Sequence, residues 1–135
     1  MQTFSEVLRE RVIVYDGAMG TSIQKHALTV EDYWNKEGCN ELLVLSRPDV
    51  IRGIHASFLQ VGCDVIETDT FGSSRIVLAE YQLQEKTREL NLAAAKLAKA
   101  VLGEEEFDGS PRPPINVSGA SVVVMAGVAW DQPLS

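Results

Sequence analysis

The sequence predicts an α/β fold in which parallel strands alternate with helices, and three observations predict it. Two short apolar runs rich in β-branched residues, at residues 12–15 and 63–67, have the composition of buried strands. Helical periodicity follows each run, and a third strand candidate lies at residues 115–118. The order strand, helix, strand, helix, strand favours parallel strands with right-handed crossovers and helices on the outside.

Length and charge narrow the classes of protein to consider. The chain has 135 residues, enough for one domain or part of one. Its 19 acidic and 12 basic residues give a net charge of −7, which disfavours nucleic acids and anionic membrane surfaces as partners. No run approaches the roughly 20 apolar residues of a membrane helix, and charges interrupt the N-terminus where a signal peptide is apolar. We therefore expect a cytoplasmic protein.

The first elements are a helix, a strand and a glycine turn. Residues 2–10 have amphipathic spacing and predict a short helix. Residues 12–15, Val-Ile-Val-Tyr, predict a buried strand that ends abruptly at Asp16. Residues 21–47 show no clear period, so we expect an irregular path with at most one helical turn.

A clearer pattern begins at Pro48, which suits the first position of a helix. An apolar stripe to Leu59, with Gly62 just beyond, predicts about three to four helical turns. The strand at residues 63–67 follows, and then a shorter helix at residues 74–81. Residues 84–102 carry the strongest helical stripe in the chain. We expect Gly103 to end that helix and an acidic, proline-rich connection to follow it.

Asp16 stands at the end of the first predicted strand and is followed by Gly17, Ala18, Met19 and Gly20. A carboxylate beside free backbone amides suits an amino acid zwitterion, because the carboxylate can meet the ammonium while the amides meet the carboxylate. The segment lacks the third glycine and the later acidic residue of a dinucleotide-binding motif. A competing interpretation is that Asp16 caps a helix in a tight turn.

The second strand candidate ends in the same way, with Glu67, Thr68 and Asp69. Active sites of parallel barrels are built at the carboxyl ends of the strands. We therefore expect Asp16 and the Thr68-Asp69 pair to face the same opening, at the carboxyl ends of the strands. The pattern by itself leaves a binding site and a purely structural role equally open.

The cysteines and histidines form no recognisable metal or catalytic set. Cys39 and Cys63 lie far apart and belong to no CxxC pair, so we expect free thiols. His55 lies on a predicted helix beside its apolar stripe, and His26 lies in the irregular segment. We expect structural roles for both histidines.

Four segments carry a more specific pattern. They are DGAMGT at residues 16–21, GCNE and LVLSRP within residues 38–48, GCDVIETDTFG at residues 62–72, and the alanine-rich segment at residues 90–95. Together, in this order, they resemble the start of the homocysteine-binding domain of cobalamin-dependent methionine synthases. The resemblance runs from about residue 10 to residue 102.

The resemblance implies a (β/α)8 barrel that binds homocysteine and transfers a methyl group to its sulfur. It implies Zn2+, on which the sulfur becomes a thiolate, and cobalamin and methyltetrahydrofolate acting through other domains. Asp16, Gly17 and the backbone of Ala18 and Met19 resemble the loop that holds the amino acid end of homocysteine. Thr68 and Asp69 resemble the contribution of the second strand, although relatives commonly have asparagine in place of Asp69.

The chain also departs from the family pattern. The family holds zinc with three cysteine thiolates from the later half of the barrel, and neither Cys39 nor Cys63 matches them. Where relatives continue with a Gly-Pro turn, this chain continues with an apolar run. We therefore expect the N-terminal portion of a barrel, with about three strands, at residues 1–119. Residues 120–135 are then a divergent apolar tail of a truncated or frame-altered product.

Two classes of function follow from these expectations. The first is a homocysteine S-methyltransferase domain fragment that binds homocysteine but is inactive alone, because the zinc cysteines are missing. The alternative is a non-catalytic product. It would be either an amino acid binding module or a self-associating chain that pairs its open sheet edges with another copy.

Overall fold

A computed structural model describes residues 4–107 and 122–124 of the chain. Helix α1 is Phe4–Glu10 and helix α2 is Met19–Ile23. A 3-10 turn at Asn40–Leu42 leads into α3 at Leu43–Ser46, and α4 is Pro48–Gln60. Strand β1 is Val65–Glu67, and α5 is Arg75–Ala79. A second 3-10 turn at Gln84–Lys86 leads into α6 at Thr87–Phe107, and β2 is Val122–Val124.

The sheet is centred on β1, in the part of the chain that the structure describes. Strand β1 pairs in parallel with β2, with Val65 opposite Val122 and Glu67 opposite Val124. On its other side, Tyr15 forms a single parallel bridge with Val65. The amide of Asp16 donates to the carbonyl of Val65 at 2.9 Å. Parallel pairing is therefore confirmed, and it brings residue 16 beside the end of β1.

The prediction of a buried strand at residues 12–15 was wrong about the strand as well as about burial, because residues 12–14 are not strand and Tyr15 makes a single bridge. Val12 is 81% exposed, and Val14 and Tyr15 are also exposed. A strand of a parallel sheet is buried only when strands flank it and helices cover its faces. Among the described residues, β1 is the one strand beside residues 12–15. The apolar side chains of residues 12–15 therefore stay in contact with solvent.

The N-terminal segment is tied to the start of β1 by one ion pair. The guanidinium of Arg11 donates to both oxygens of Asp64, at 2.9 and 2.6 Å. The amide of Val14 donates to the same carboxylate at 2.9 Å. The positive charge of Arg11 and these hydrogen bonds lower the pKa of Asp64. This bidentate contact sets the register that places residue 16 opposite the end of β1.

The structure describes a partner strand of β1 at a place that was not predicted. Residues 115–118, the predicted strand, fall outside the described residues. The parallel partner of β1 is Val122–Val124, within the segment that was set apart as a tail. Three consecutive valines have high β-propensity and suit a strand. Part of that segment thus contributes to the sheet, and the boundary at residue 119 stays a prediction.

The helices carry the core, and most of their predicted positions are confirmed. Helix α4 has Pro48 in its first turn, and Gly62 follows it with a positive φ of 95°. Helix α6 continues past Gly103 to Phe107, so the predicted end at Gly103 was wrong. A glycine costs a helix only about 1 kcal/mol, and the glutamates after it favour helix. The largest fully buried apolar side chains are Leu42, Leu43, Ile51, Leu78 and Leu90 on helices or the turns beside them, and Ile66 on β1.

The segment that looked irregular contains more helix than expected. It includes most of α2, a 3-10 turn and α3, and its Cys39, Leu42 and Leu43 are fully buried. His55 is also fully buried, on α4, and neither ring nitrogen has a hydrogen-bond partner among the described residues. None of the helices in the described part of the chain combines the length and apolar character needed to cross a membrane.

Candidate active site

A cavity of about 330 Å³ lies where the first extended segment and β1 end. All six residues singled out from the sequence line it, namely Asp16, Gly17, Ala18, Met19, Thr68 and Asp69. The parallel pairing brings them together, because residue 16 and the end of β1 come out at one edge of the sheet. The walls are completed by Gly20, Asn40, Glu41, Glu67 and Phe71.

Asp16 is held by the backbone of β1. Both of its carboxylate oxygens accept a hydrogen bond from the amide of Glu67, at 3.1 Å each. Burial raises the pKa of Asp16 to about 6, although this hydrogen bond opposes the rise, and the charge of Glu67 adds to it. Above that pH the side chain is a carboxylate at the cavity wall and can meet a cation.

The helix-capping interpretation of Asp16 does not hold. The N-cap of α2 is Ala18, and no side chain caps that helix with a hydrogen bond. The carboxylate of Asp16 reaches across to Glu67, 51 positions along the chain. Asp16 therefore joins two strand ends, which leaves it at the cavity wall.

The turn after Asp16 is shaped by an alanine. Ala18 has φ 51° and ψ 42°, in the left-handed region that non-glycine residues seldom adopt. A Cβ on Gly17 would meet nothing within 4 Å. The left-handed backbone conformation in this turn therefore lies at Ala18. Such strained residues persist where surrounding structure holds them, often at ligand sites.

The Thr68-Asp69 pair forms a buried wall of the cavity. The hydroxyl groups of Thr68 and Thr70 lie 2.7 Å apart in a hydrogen bond. Asp69 is 5% exposed, and its Oδ2 has no hydrogen-bond partner among the described residues. Burial and the nearby charge of Glu41 raise the pKa of Asp69 well above its usual value. Burial thus raises the pKa of both aspartates that line the cavity.

Sequence reasoning missed Asn40 and Glu41 as wall residues. The Oε1 of Glu41 accepts a hydrogen bond from the amide of Gly72 at 2.8 Å, and the Oδ1 of Asn40 accepts one from the hydroxyl of Tyr33 at 3.2 Å. Both lie in the segment without periodicity, where no pattern predicts which side chains face inward. Their place in the GCNE motif was the one available signal. Phe71, at 84% exposed, stands at the mouth.

The described residues do not fit a zinc site. Burial raises the pKa of Cys39 and of Cys63 to about 11, so both are thiols when no metal ion lies beside them. Within residues 4–107 and 122–124, no group of three or more His, Cys, Asp or Glu side chains is arranged to hold a metal ion. Tetrahedral zinc needs three or four such donors.

Comparisons with known proteins agree on one family. The sequence profile described as "Homocysteine S-methyltransferase" matches residues 13–128. Methionine synthases of Mycobacterium leprae and Mycobacterium tuberculosis are 42% and 41% identical over 99 residues, which is 73% of this chain. Those 99 residues are 8% of each relative, so the chain spans a small part of their length.

The solved structures show a shared fold. The homocysteine methyltransferase MmuM of Escherichia coli, in its metallated form, superimposes with a TM-score of 0.66 over 88% of this chain and 38% of its own. Its oxidised form gives 0.64 over 87% of this chain and 39% of its own. The sequence identities are 18% and 17%.

Proposed function

This chain belongs to the homocysteine S-methyltransferase family, and we propose that it forms the part of a (β/α)8 barrel that binds homocysteine for methyl transfer to its sulfur. The two methionine synthases, at 42% and 41% identity, are more similar in sequence to this chain than the two MmuM structures, at 18% and 17%. The proposal extends to their reaction, in which zinc, cobalamin and methyltetrahydrofolate take part through other regions of the protein. The observation that carries it is the family match together with a cavity at the strand ends.

Each of the six cavity residues predicted from the sequence has a proposed role in binding the amino acid end of homocysteine. Asp16, ionised above about pH 6, receives the ammonium of homocysteine. Gly17, Ala18 and Met19 line the cavity beside it, and their backbone amides are the proposed donors to the carboxylate. The buried Thr68 and Asp69 add polar groups to the same cavity. This arrangement holds the two charges of a zwitterion and leaves its side chain free.

Activation of the sulfur is not assigned to the described residues. Among them, no three or more His, Cys, Asp or Glu side chains are grouped to hold Zn2+. Their proposed role is to bind and orient homocysteine. When zinc is bound in this family it supplies the positive charge that keeps the sulfur as a thiolate.

A binding experiment tests the role of Asp16. Homocysteine is titrated under reducing conditions into the wild-type chain and into Asp16→Asn, with affinity measured by calorimetry. Asparagine keeps an acceptor for the amide of Glu67 but loses the charge. We expect the affinity to fall by about 10- to 150-fold, or about 1.5–3 kcal/mol, for one charge-assisted hydrogen bond.

The matched control is Asp49→Asn, at an exposed position in the first turn of α4. It makes the same chemical change away from the cavity and should leave binding intact. If Asp16→Asn bound homocysteine as tightly as the wild type and only unfolded more easily, Asp16 would have a structural role. If the wild-type chain bound no homocysteine, the proposed function itself would fail.

The second candidate function is self-association, and the exposed extended segment at residues 12–15 favours it. Val12, Val14 and Tyr15 expose apolar side chains in this segment, which lies beside β1. Exposed apolar strand edges invite pairing between chains. Sedimentation should show oligomers for the wild type and a smaller species for Val12→Lys. The control is Val61→Lys, equally exposed after the end of α4. Equal sedimentation of all three chains as monomers would exclude this candidate.

A further inference from the structure

Asp69 is the most deeply buried carboxyl group of the cavity, and part of it is unsatisfied. It is 5% exposed, and its Oδ2 has no hydrogen-bond partner in the part of the chain that the structure describes. A buried polar oxygen without a partner costs stability, so native proteins seldom keep one without a reason. Asp69 lines the cavity, and a rotation of its side chain would bring the nearly inaccessible Oδ2 to a bound ligand that supplies the missing partner.

The groups around Asp69 favour its neutral form. Glu41 lies close enough for its charge to raise the pKa of Asp69, in addition to burial, which is the larger cause. Asp69 in turn affects the pKa of Tyr33 and of Cys39, which face it from the segment before α3. Each of these neighbours becomes negative when it ionises. A second carboxylate here would be repelled, whereas a protonated carboxyl group would not.

Resting on the proposed function, we infer that Asp69 is a specificity-determining residue that binds as a neutral acid and donates the O–H of Oδ2 to the carboxylate of homocysteine. A neutral carboxyl group has a donor, and an ionised one has none. An O–H donor facing a carboxylate makes a short, charge-assisted hydrogen bond. The substrate carboxylate needs such a donor because Asp16, Glu41 and Glu67 also line the cavity.

The two aspartates then divide the zwitterion between them. Asp16 is ionised above about pH 6 and takes the ammonium. Asp69 keeps its proton and takes the carboxylate. No proton is transferred when the substrate binds, because each group is already in the required form. The cavity therefore distinguishes an amino acid from an amine or a carboxylic acid alone.

The test compares three ligands on three proteins and one control protein by calorimetry. The ligands are homocysteine, homocysteamine, which lacks the carboxylate, and α-aminobutyrate, which lacks the thiol. The proteins are the wild-type chain, Asp69→Asn and Asp69→Leu, with Asp49→Asn as the matched exposed control. Asparagine keeps an N–H donor without a titrating proton, and leucine removes the donor.

We expect Asp69→Leu to weaken homocysteine and α-aminobutyrate by about 10- to 100-fold and to leave homocysteamine unchanged. Asp69→Asn should bind all three ligands nearly as well as the wild type at neutral pH. At alkaline pH the wild type should lose affinity for homocysteine as Asp69 ionises, and Asp69→Asn should lose less. The ligand's own titration is common to both proteins and cancels in the comparison.

Other outcomes overturn the inference. If Asp69→Leu weakened the binding of homocysteamine as much as that of homocysteine, Asp69 would contact the ammonium. If Asp69→Leu did not weaken the binding of α-aminobutyrate, Asp69 would contact the sulfur. A wild-type chain that binds no homocysteine overturns this inference and the proposed function together, whereas binding with the wrong ligand pattern overturns this inference alone.

Infrared spectroscopy supplies a readout that needs no ligand. At neutral pH the wild type should show a protonated carboxyl band that Asp69→Asn lacks, and its absence would refute the neutral acid even if Asp69→Leu failed to fold.

Discussion

Replacing His55 with leucine should make the protein more stable, and increasingly so at acid pH. His55 is fully buried on α4, and neither ring nitrogen has a hydrogen-bond partner among the described residues. Burial lowers its pKa from 6.5 to about 4. Leucine has a similar volume and no polar atom to bury, so His55→Leu removes the cost of two unsatisfied nitrogens, about 1–3 kcal/mol at neutral pH.

The pH dependence follows from the lowered pKa. Between about pH 6.5 and pH 4, the unfolded chain binds a proton at residue 55 that the folded chain does not. Stability contributed by the neutral imidazole is therefore fully present above pH 6.5 and is lost as the pH falls towards 4. At about 1.4 kcal/mol per pKa unit, the loss reaches roughly 3 kcal/mol at pH 4 and roughly 2 kcal/mol at pH 5. His55→Leu should escape this loss.

Urea denaturation followed by circular dichroism, at several pH values from 7 to 5, measures the difference between the two chains. Asp16 and Asp69 have raised pKa values, so their protonation stabilises the folded state as the pH falls. They are present in both chains, and their effect cancels in the difference. His26→Gln is the exposed control and should follow the wild type. A difference between wild type and His55→Leu that stayed constant from pH 7 to pH 5 would refute the argument.

Three further predictions concern the site and its support. Homocysteine affinity should fall about tenfold per pH unit well below pH 6, because Asp16 becomes protonated, and a titration from pH 7 to pH 5 measures it. Asp64→Asn should lower the free energy of unfolding at pH 7 by about 1–3 kcal/mol, measured in urea, because the bidentate contact with Arg11 is lost. After dialysis the chain should hold less than one Zn2+ by elemental analysis; stoichiometric metal lost on changing Cys39 or Cys63 would contradict this.

Local pattern predicted the helices that have a clear stripe and a capping residue. Pro48 and the stripe to Leu59 predicted α4, and the stripe after residue 84 predicted α6, because amphipathic periodicity reports which face packs on the core. The pattern failed for the pairing of β1 with Val122–Val124. That pairing joins residues 57 positions apart through Val65 and Val122, and nothing in the local sequence encodes the partner of a strand.

Some residues of the candidate site were predicted from the sequence and others were not. The sequence predicted that Asp16 and Thr68-Asp69 would share one edge, because both follow strand candidates in a parallel arrangement, and the cavity unites them. Asn40 and Glu41 were not predicted, since they come from a segment without periodicity. The positive φ at Ala18 was not predicted either, because alanine seldom adopts it and the surrounding structure imposes it.

The sequence by itself determined the kinds of chemical group at the strand ends, the order of strands and helices, and the family resemblance. The tertiary structure alone decided the state of those groups. Asp16 and Asp69 are the same residue type, yet Asp16 is half-buried with a pKa raised to about 6 mainly by burial, while Asp69 is almost wholly buried and its pKa is raised by burial and by the charge of Glu41. The cost of ionisation depends on burial and on charges that approach through space, and residues distant in sequence supply both.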